Sequence, residues 1–180
     1  MNYHLDQQAA ASLSSLRWVV MGVCGCGKSE IGQRLANELA IPFIEGDKYH
    51  PPANILKMQA AIPLTDIDRA DWLQQLKQQL AAARAKGQGL VLSCSALKRA
   101  YRDLLREADP ALVFVHLDGD RELITARMRA RNDHFMPLSL LDSQLADLQA
   151  LQADEQSIRL NIQKEPAVLI QEILNLSATR

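Results

Sequence analysis

The segment that most constrains the fold is GVCGCGKS, residues 22–29, which lies between an apolar run and a helix-patterned stretch. It fits the pattern GxxxxGK[ST], in which glycines let the backbone curl so that successive N–H groups point at phosphate oxygen atoms. The N-terminus of the following helix adds a partial positive charge. In this pattern Lys28 reaches the β- and γ-phosphates, and the hydroxyl of Ser29 holds Mg²⁺. The predicted phosphate-binding residues are Gly22, Val23, Cys24, Gly25, Cys26, Gly27, Lys28 and Ser29.

Short apolar runs alternate with helix-patterned stretches along the rest of the chain. Strands are predicted at residues 18–21, 42–44, 90–92, 112–117 and 158–162, each followed by a helical pattern. This alternation implies right-handed crossovers and a parallel sheet that is covered on both faces. The predicted fold class is therefore α/β, with three layers and a five-stranded parallel sheet between helices.

The domain organisation is simple. Residues 17–180 show no internal repeat or linker and are predicted to form a single domain, while residues 1–16 are expected to be a flexible extension. Neither a secretion signal nor an apolar run of 18 residues is found. Thr65 and Asp68 have the spacing of a capping box and predict a helix that ends before Gly87.

Charge and cysteine content exclude several classes of partner. The 20 Lys and Arg residues against 21 Asp and Glu residues give a formal charge of −1, so no global field attracts nucleic acid or an anionic membrane. A small molecule is the expected partner. Three cysteines do not make a disulfide framework, and free thiols predict a reducing compartment, the cytoplasm.

Cys24 and Cys26 allow two interpretations. A zinc site usually needs four ligands, and these two thiols supply only half of that set. The first interpretation is therefore that both are small side chains that the loop tolerates. The second hypothesis is redox sensitivity, because a thiol beside Lys28 and a helix N-terminus is expected to have a lowered pKa and to oxidise readily.

Glu45 and Asp47 follow the second predicted strand, where open parallel sheets bind their ligands. Strand alternation sends the two side chains in different directions. One would orient a metal-bound water, for which Glu45 is the candidate, while Asp47 would accept or orient a hydroxyl group. The alternative is that both are turn-forming acids. Asp118 and Asp120 are interpreted as turn and cap residues.

Four further segments, GDKYHPPANILKM, PLTDIDRADWL, CSALKRAYRDLLR and HFMPLSLLDSQL, complete a recognisable set. In order and spacing they resemble the signature segments of the gluconate kinases, small P-loop kinases that make 6-phosphogluconate from gluconate and ATP. The resemblance runs from about residue 19 to about residue 148. It implies a nucleoside-kinase-like fold, Mg²⁺-ATP as the phosphoryl donor, D-gluconate as the acceptor and a homodimer.

The resemblance also implies roles for acceptor-site residues. Asp47 would meet the transferred hydroxyl, His50 and Asn54 would line the same pocket, and Arg69 would face the substrate. A linear polyol acid needs hydrogen-bonding groups along its length and a cation at its acid end, which Arg69 or Lys98 could supply. Ser95 and Lys98, just after the third strand, are further candidates.

Each of these roles has an alternative. Asn54 could face solvent from a helix, His50 could cap a turn, and Arg69 could pair with Asp66 or Asp68. The arginines of the helix after the third strand are interpreted as a solvated face. They are Arg99, Arg102 and Arg106.

Residues 127–150 correspond to the lid that closes over the phosphates in related kinases. Arg127 and Arg131 lie one helical turn apart and would share the face that binds phosphate, whereas Arg129 is interpreted as exposed. Closure would exclude water. Ala61 and Asp133 stand where the family usually has glycine, which is expected to restrict backbone motion at both positions.

Two other functions compete with gluconate phosphorylation. The first is a kinase for another small acceptor, such as shikimate or a nucleoside monophosphate, since these enzymes share the P-loop and the lid. The second is a nucleotide-binding regulator without catalytic activity. The segments around His50 and Arg69 argue against the first, and the intact Lys28, Ser29 and Asp47 argue against the second.

Overall fold

A computed structural model describes residues 7–130 and 138–178 of the chain. Its centre is one five-stranded sheet in which every pair of neighbouring strands is parallel. The strand order is β2-β3-β1-β4-β5. The strands are β1 (Arg17–Met21), β2 (Phe43–Glu45), β3 (Leu90–Ser93), β4 (Val113–Asp118) and β5 (Ser157–Asn161). The predicted fold class is confirmed.

Helices cover both faces of this sheet. The described helices are α1 (Gln7–Ser14), α2 (Lys28–Leu39), α3 (Pro52–Gln59), α4 (Asp66–Ala85), α5 (Arg99–Arg106), α6 (Arg121–Ala130), α7 (Leu138–Asp147) and α8 (Pro166–Ala178). None of them is both long and apolar enough to cross a membrane. A single 3₁₀ turn, Gly46–Tyr49, follows β2.

The core is divided by the sheet into two clusters of buried side chains. Along β1, Trp18 and Val20 belong to the cluster shared with α2 and α8, whereas Val19 and Met21 belong to the cluster shared with α4 and α5. Both faces of β1 are therefore apolar, which explains the unbroken hydrophobic run of a central parallel strand. The buried side chains of the loop that follows β1, Val23, Cys24 and Cys26, belong to the cluster shared with α2 and α8.

Helix α4 begins at the predicted capping box. The backbone N–H of Asp68 donates to Oγ1 of Thr65 at 3.2 Å, and the N–H of Thr65 donates to the Asp68 carboxylate at 2.9 Å. These reciprocal bonds satisfy two N–H groups that the helix itself cannot pair. The direction of α4 is thus fixed where its first turns approach α3.

The turn between α3 and α4 contains Ala61 in the left-handed region, with φ of 61°. The N–H of Ala61 donates to the carbonyl of Met58, and that of Ile62 donates to the carbonyl of Lys57. Glycine adopts this conformation without the steric cost that a Cβ adds. The departure from the family pattern at this position therefore places a Cβ in a strained backbone conformation. Asp133, the second departure, lies outside the described residues.

The first 16 residues were expected to be flexible, and the sequence pattern did not indicate α1. Leu13 at the end of this helix is buried in the same cluster as Trp18. The indole N–H of Trp18 donates to the carbonyl of Leu13 at 3.3 Å. The C-terminal part of the extension thus packs on the domain.

The prediction of a solvated face on α5 is wrong for Arg102. Its side chain is fully buried, and its Nε donates to Oε1 of Glu155 at 2.5 Å. Its Nη1 donates to the carbonyls of Ala96, Leu97 and Gln149. Arg99 and Arg106, by contrast, are partly exposed and pair with Asp103 and Asp154, as a solvated face would. A buried partner 53 positions away left no signal in the local sequence.

Candidate active site

The candidate site is a cavity of about 840 Å³ at the carboxyl ends of β1, β2 and β3. This is the edge at which open parallel sheets bind their ligands. Three chain segments that leave these strands meet in it. Their lining residues are Cys24, Gly25, Gly27, Lys28 and Ser29 from the loop after β1, Glu45, Asp47, Lys48 and His50 from the segment after β2, and Ser95 after β3.

The phosphate-binding loop joins β1 directly to α2, as predicted. Gly22, Gly25 and Gly27 have φ of 139°, 78° and 100°, values that glycine adopts readily. Gly22, Val23 and Cys26 lie behind the five loop residues that line the cavity. The curl of the loop therefore depends on its glycines, and Lys28 and Ser29 at its end line the cavity.

Lys28 is the first residue of α2, and its ammonium donates to the carbonyl of Val23 at 2.9 Å. Burial lowers the pKa of Lys28, but nearby groups that can carry a negative charge, first Cys26 and then Asp47, raise it by more. The net shift of the pKa is upwards, so the side chain is a cation at neutral pH. The Lys28 ammonium lies within the loop, at the position where a phosphate group would bind.

The two loop cysteines have thiol pKa values above the ordinary value. Burial raises the pKa of the Cys24 thiol to about 11, and burial also raises the pKa of Cys26, although Lys28 opposes both shifts. The expectation of a lowered pKa is wrong because desolvation of the thiolate outweighs the nearby ammonium. The interpretation as small, packed side chains agrees with the structure.

Asp47 is carried into the cavity by the 3₁₀ turn after β2 and is exposed there. Glu45, at the end of β2, lines the same cavity and accepts a hydrogen bond from the hydroxyl of Ser93 on β3. Between them, Gly46 donates its N–H to Ser93 Oγ at 3.3 Å, and its carbonyl accepts from the indole of Trp72 at 2.8 Å. Ser93 therefore holds the Glu45 carboxylate, and Ser93 and Trp72 hold the backbone of the turn that carries Asp47.

His50 and Arg69 also line the cavity, and both are buried. Nε of Arg69 has no hydrogen-bond partner among the described residues. The alternative that Arg69 pairs with Asp66 or Asp68 is not what the structure shows, because Asp66 pairs with Lys98 and Asp68 with Lys57. A buried guanidinium with an unpaired N–H is suited to bind an anionic ligand.

Asn54 and Lys98 are close to the cavity but do not line it. Asn54 is buried beneath His50, which contradicts the alternative that it faces solvent. The ammonium of Lys98 lies 2.7 Å from the Asp66 carboxylate and 3.5 Å from that of Asp147. The structure thus joins Lys28, Asp47, His50, Arg69 and Ser95 in one cavity and places these two residues around it.

The segment predicted as a lid, residues 127–150, includes the last four residues of α6 and all of α7. Arg127 is partly buried, and its guanidinium donates to the carbonyl of Ile162 at 2.6 Å. It does not line the cavity, while Arg129 is exposed as interpreted. Arg131, the other predicted phosphate ligand, lies outside the described residues. A lid role for this segment stays a prediction.

The sequence reasoning missed several lining residues, among them the polar side chains of Lys48 and Gln144. Lys48 lies beside Asp47 in GDKYH, where nothing marked it. Gln144 of α7 accepts the N–H of Cys24 at 2.7 Å, a donor that the phosphate-binding loop would otherwise offer to a ligand. The only signal for Gln144 was its place in the quoted segment HFMPLSLLDSQL. Its partner 120 positions away could not be read from the sequence.

Comparisons with known proteins agree with this geometry. A family model described as shikimate kinase matches residues 24–175. The gluconokinase of Gluconobacter oxydans is 47% identical over 156 residues, which cover 87% of this chain and 88% of that protein. The thermosensitive gluconokinase of Escherichia coli is 46% identical and covers 83% of this chain and 81% of its own.

Solved structures give the same result. A gluconokinase from Sinorhizobium meliloti superposes with a TM-score of 0.85 at 43% identity, and covers 92% of this chain and 93% of its own. An unliganded sugar kinase from Janibacter sp. has the same TM-score at 48% identity, with 89% and 92% covered. The shikimate kinase of Aquifex aeolicus, at 18% identity and a TM-score of 0.56, shares the fold.

Proposed function

Because the chain belongs to the gluconokinase family, within the shikimate kinase-like group of P-loop kinases, we propose that it transfers the γ-phosphoryl group of ATP to D-gluconate. The products are 6-phospho-D-gluconate and ADP. The observation that carries this proposal is one cavity that contains Lys28 of the phosphate loop, the carboxylate of Asp47 and the buried guanidinium of Arg69. In this cavity Lys28 matches the phosphates of the donor, Asp47 matches the attacking hydroxyl, and Arg69 matches the carboxylate of the acceptor.

The loop backbone binds the phosphates through its N–H groups, and Lys28 exchanges the Val23 carbonyl for a phosphate oxygen. The N–H of Cys24 becomes available when the Gln144 side chain moves away. Arg127 and Arg131 close over the phosphates from the lid, for which Arg127 leaves the Ile162 carbonyl. This closure excludes the water that competes with the acceptor.

Mg²⁺ fits the oxygen donors at this site. Ser29 and Glu45 line the same cavity, one with a hydroxyl and the other with a carboxylate, and Mg²⁺ prefers such ligands together with water and phosphate oxygens. Ser29 would bind the ion directly and Glu45 through a water molecule. The hydrogen bond from Ser93 holds the Glu45 carboxylate for this task. The ion supplies neutralisation of the phosphate charge when it is bound.

On the acceptor side, Asp47 orients the attacking hydroxyl and accepts its proton as the bond to phosphorus forms. Arg69 binds the carboxylate of gluconate, and His50 and Ser95 bind oxygen atoms along the chain. Lys98 reaches the acceptor only if its ion pair with Asp66 opens. Asn54 contributes through His50. Most of the catalytic effect comes from positioning and charge neutralisation, as in other phosphoryl transfers.

The test is an ADP-release assay with D-gluconate, shikimate, nucleoside monophosphates and other polyol acids, run on the wild type and on Asp47→Asn. We expect a strong preference for gluconate and a fall in kcat of Asp47→Asn by about 10²-fold or more, with little change in the KM for ATP. Asp71→Asn, which alters an exposed acid on α4, is the matched control and should behave as the wild type.

Three outcomes would contradict this proposal in different ways. A preference for shikimate or a nucleoside monophosphate would replace the acceptor but keep the kinase. Tight binding of ATP without turnover on any acceptor would favour a nucleotide-binding regulator. Unchanged turnover in Asp47→Asn would show that Asp47 does not have its proposed role, but it would not contradict the proposed reaction.

The resemblance to gluconate kinases further supports a homodimer, and the three free cysteines, all buried, support work in the reducing cytoplasm. The expected partner is a small molecule and not a nucleic acid or a membrane, because the formal charge of −1 provides no attractive field. Sedimentation of the purified chain at micromolar concentration tests the dimer. A single monomeric species would contradict it.

A further inference from the structure

His50 is held in the cavity wall by a rigid support. Its ring stacks on the indole of Trp72, with centroids 4.2 Å apart and an angle of 16° between the planes. The indole is itself fixed, because its N–H donates to the carbonyl of Gly46 at 2.8 Å. One face of the imidazole is therefore covered, and the ring has a defined orientation.

The side-chain amide of Asn54 determines which ring nitrogen of His50 carries a proton. Its Nδ2 lies 2.7 Å from the carbonyl oxygen of Asp68, and this oxygen can only accept a hydrogen bond. The nitrogen of the amide is thus identified by its partner. The second hydrogen of the same NH₂ group faces Nδ1 of His50 at 3.3 Å. Nδ1 is consequently an acceptor and carries no hydrogen.

The surroundings of His50 also keep it neutral. Burial lowers the pKa of His50 to about 4. The Asp47 carboxylate opposes this shift, and the Arg69 guanidinium acts in the same direction as burial. A proton on Nδ1 would in addition meet the N–H of Asn54. A neutral imidazole whose Nδ1 has no hydrogen must carry its one N–H at Nε2.

We propose that Asn54 is a positioning residue that holds His50 in the Nε2–H tautomer, so that the ring donates a hydrogen bond to an oxygen atom of the sugar acid. With Nδ1 bonded to Asn54 and one face on Trp72, Nε2 is the ring nitrogen left for a ligand in the cavity. The identity of that ligand rests on the proposed function. The tautomer rests on the geometry alone.

This arrangement determines which chemical groups the site selects. An N–H donor at Nε2 requires a lone pair, which each hydroxyl or carboxylate oxygen of a sugar acid provides. The unpaired N–H of Arg69, which lines the same cavity, also requires a lone pair from the ligand. A ligand that offered a donor or a methyl group at this position would leave the buried Nε2–H unsatisfied, which costs binding. His50 and Arg69 together thus select ligands that are rich in hydrogen-bond acceptors.

The first experiment reads the tautomer in the ligand-free protein. Two-bond ¹H–¹⁵N correlation spectra of a histidine-labelled sample distinguish Nε2–H, Nδ1–H and the imidazolium, and His50→Gln identifies the His50 signals among the four histidines. We expect the Nε2–H pattern throughout pH 6 to 8. An Nδ1–H pattern or an imidazolium in the wild type would overturn the proposal, whatever acceptor the enzyme uses.

The second experiment changes the positioning residue. Asn54→Asp has nearly the same shape but presents only acceptors, so we expect a proton on Nδ1 of His50 and a raised pKa. The assay is run at a pH above that pKa, where the neutral ring with a hydrogen on Nδ1 has none on Nε2. The KM for gluconate should rise about tenfold, the effect of one lost hydrogen bond, while the KM for ATP stays constant. A fall in kcat with an unchanged KM for gluconate would show that Asn54 only stabilises the fold and would overturn the positioning role.

Gluconate titration of the labelled wild type covers the case in which Asn54→Asp does not fold. The Nε2 and Nε2–H signals of His50 should shift as gluconate binds, whereas those of His116, which does not line the cavity, should not. Unmoved His50 signals at saturating gluconate would overturn the hydrogen bond to the acceptor. If gluconate does not bind at all while the Nε2–H pattern is present, the proposed function fails and the tautomer stands.

Discussion

Replacing Arg102 with methionine, which keeps the length of the aliphatic stem but removes the charge, should lower the free energy of unfolding by about 4 kcal/mol. Arg102 is fully buried and donates to both carboxylate oxygens of Glu155. The same guanidinium donates to four backbone carbonyls, those of Ala96, Leu97, Gln149 and Ala150. The substitution therefore leaves a buried carboxylate without its cation and several acceptors without a donor.

The magnitude follows from that inventory. Removal of one partner from a buried ion pair typically costs about 3–5 kcal/mol, because the remaining charge stays desolvated. A domain of this size is stable by about 5–15 kcal/mol, so the loss would be a large fraction of the whole. The corresponding fall in Tm is about 10 °C. Arg99 on the same helix pairs with Asp154 at the surface, and Arg99→Met should cost much less than Arg102→Met, because solvent screens an exposed ion pair.

Urea unfolding followed by tryptophan fluorescence provides the assay, because Trp18 and Trp72 are both completely buried. Salt at 1 M should reduce the effect of Arg99→Met but not that of Arg102→Met, since screening acts on exposed pairs. The double variant Arg102→Met with Glu155→Met should be more stable than the sum of the single effects predicts. An Arg102→Met cost no larger than that of Arg99→Met, or strict additivity, would refute this account of the buried pair.

Two further substitutions test the turns around the site. A Cβ at Gly46 would overlap the carbonyl oxygen of Ser93, so Gly46→Ala should displace the turn that carries Asp47. We expect kcat to fall at least tenfold while the circular dichroism spectrum stays that of the folded protein. Full activity of this variant would contradict the prediction. Ala61→Gly removes a Cβ from the left-handed region and should raise the free energy of unfolding by about 0.5 kcal/mol. Its control, Ala60→Gly, changes a neighbour with φ of −83° and should destabilise the protein; equal effects of the two would contradict the explanation from strain.

The strands, the phosphate loop and the capping box were predictable because each depends on neighbours in the sequence. A central parallel strand is apolar on both faces, and β1 to β5 appear as short apolar runs within one residue of their observed bounds. The loop between β1 and α2 follows from three glycines whose φ angles few other residues adopt. The bonds between Thr65 and Asp68 span three positions. Backbone sterics and local hydrogen bonds suffice for all of these.

The burial and the charge state of individual side chains could not be predicted from the sequence. Periodicity could not show that Arg102 is buried, because the glutamate that makes burial possible lies 53 positions away. Position beside a lysine and a helix N-terminus suggested a reactive Cys24, and only the packed structure shows that desolvation raises its pKa instead. In both cases the charged state depends on how much water remains, which is a property of the assembled core.

The sequence by itself therefore determined the α/β class, the phosphate loop at the head of α2 and the arrival of Asp47 at the carboxyl end of β2, since local geometry and the parallel crossover rule leave few alternatives. Only the tertiary structure decided that Arg69 has an unpaired N–H, that Lys98 is held by Asp66, and that Asn54 acts on His50. The hydrogen-bond partners of these side chains depend on which elements pack together in the folded protein, and the spacing of residues along the chain does not predict that packing.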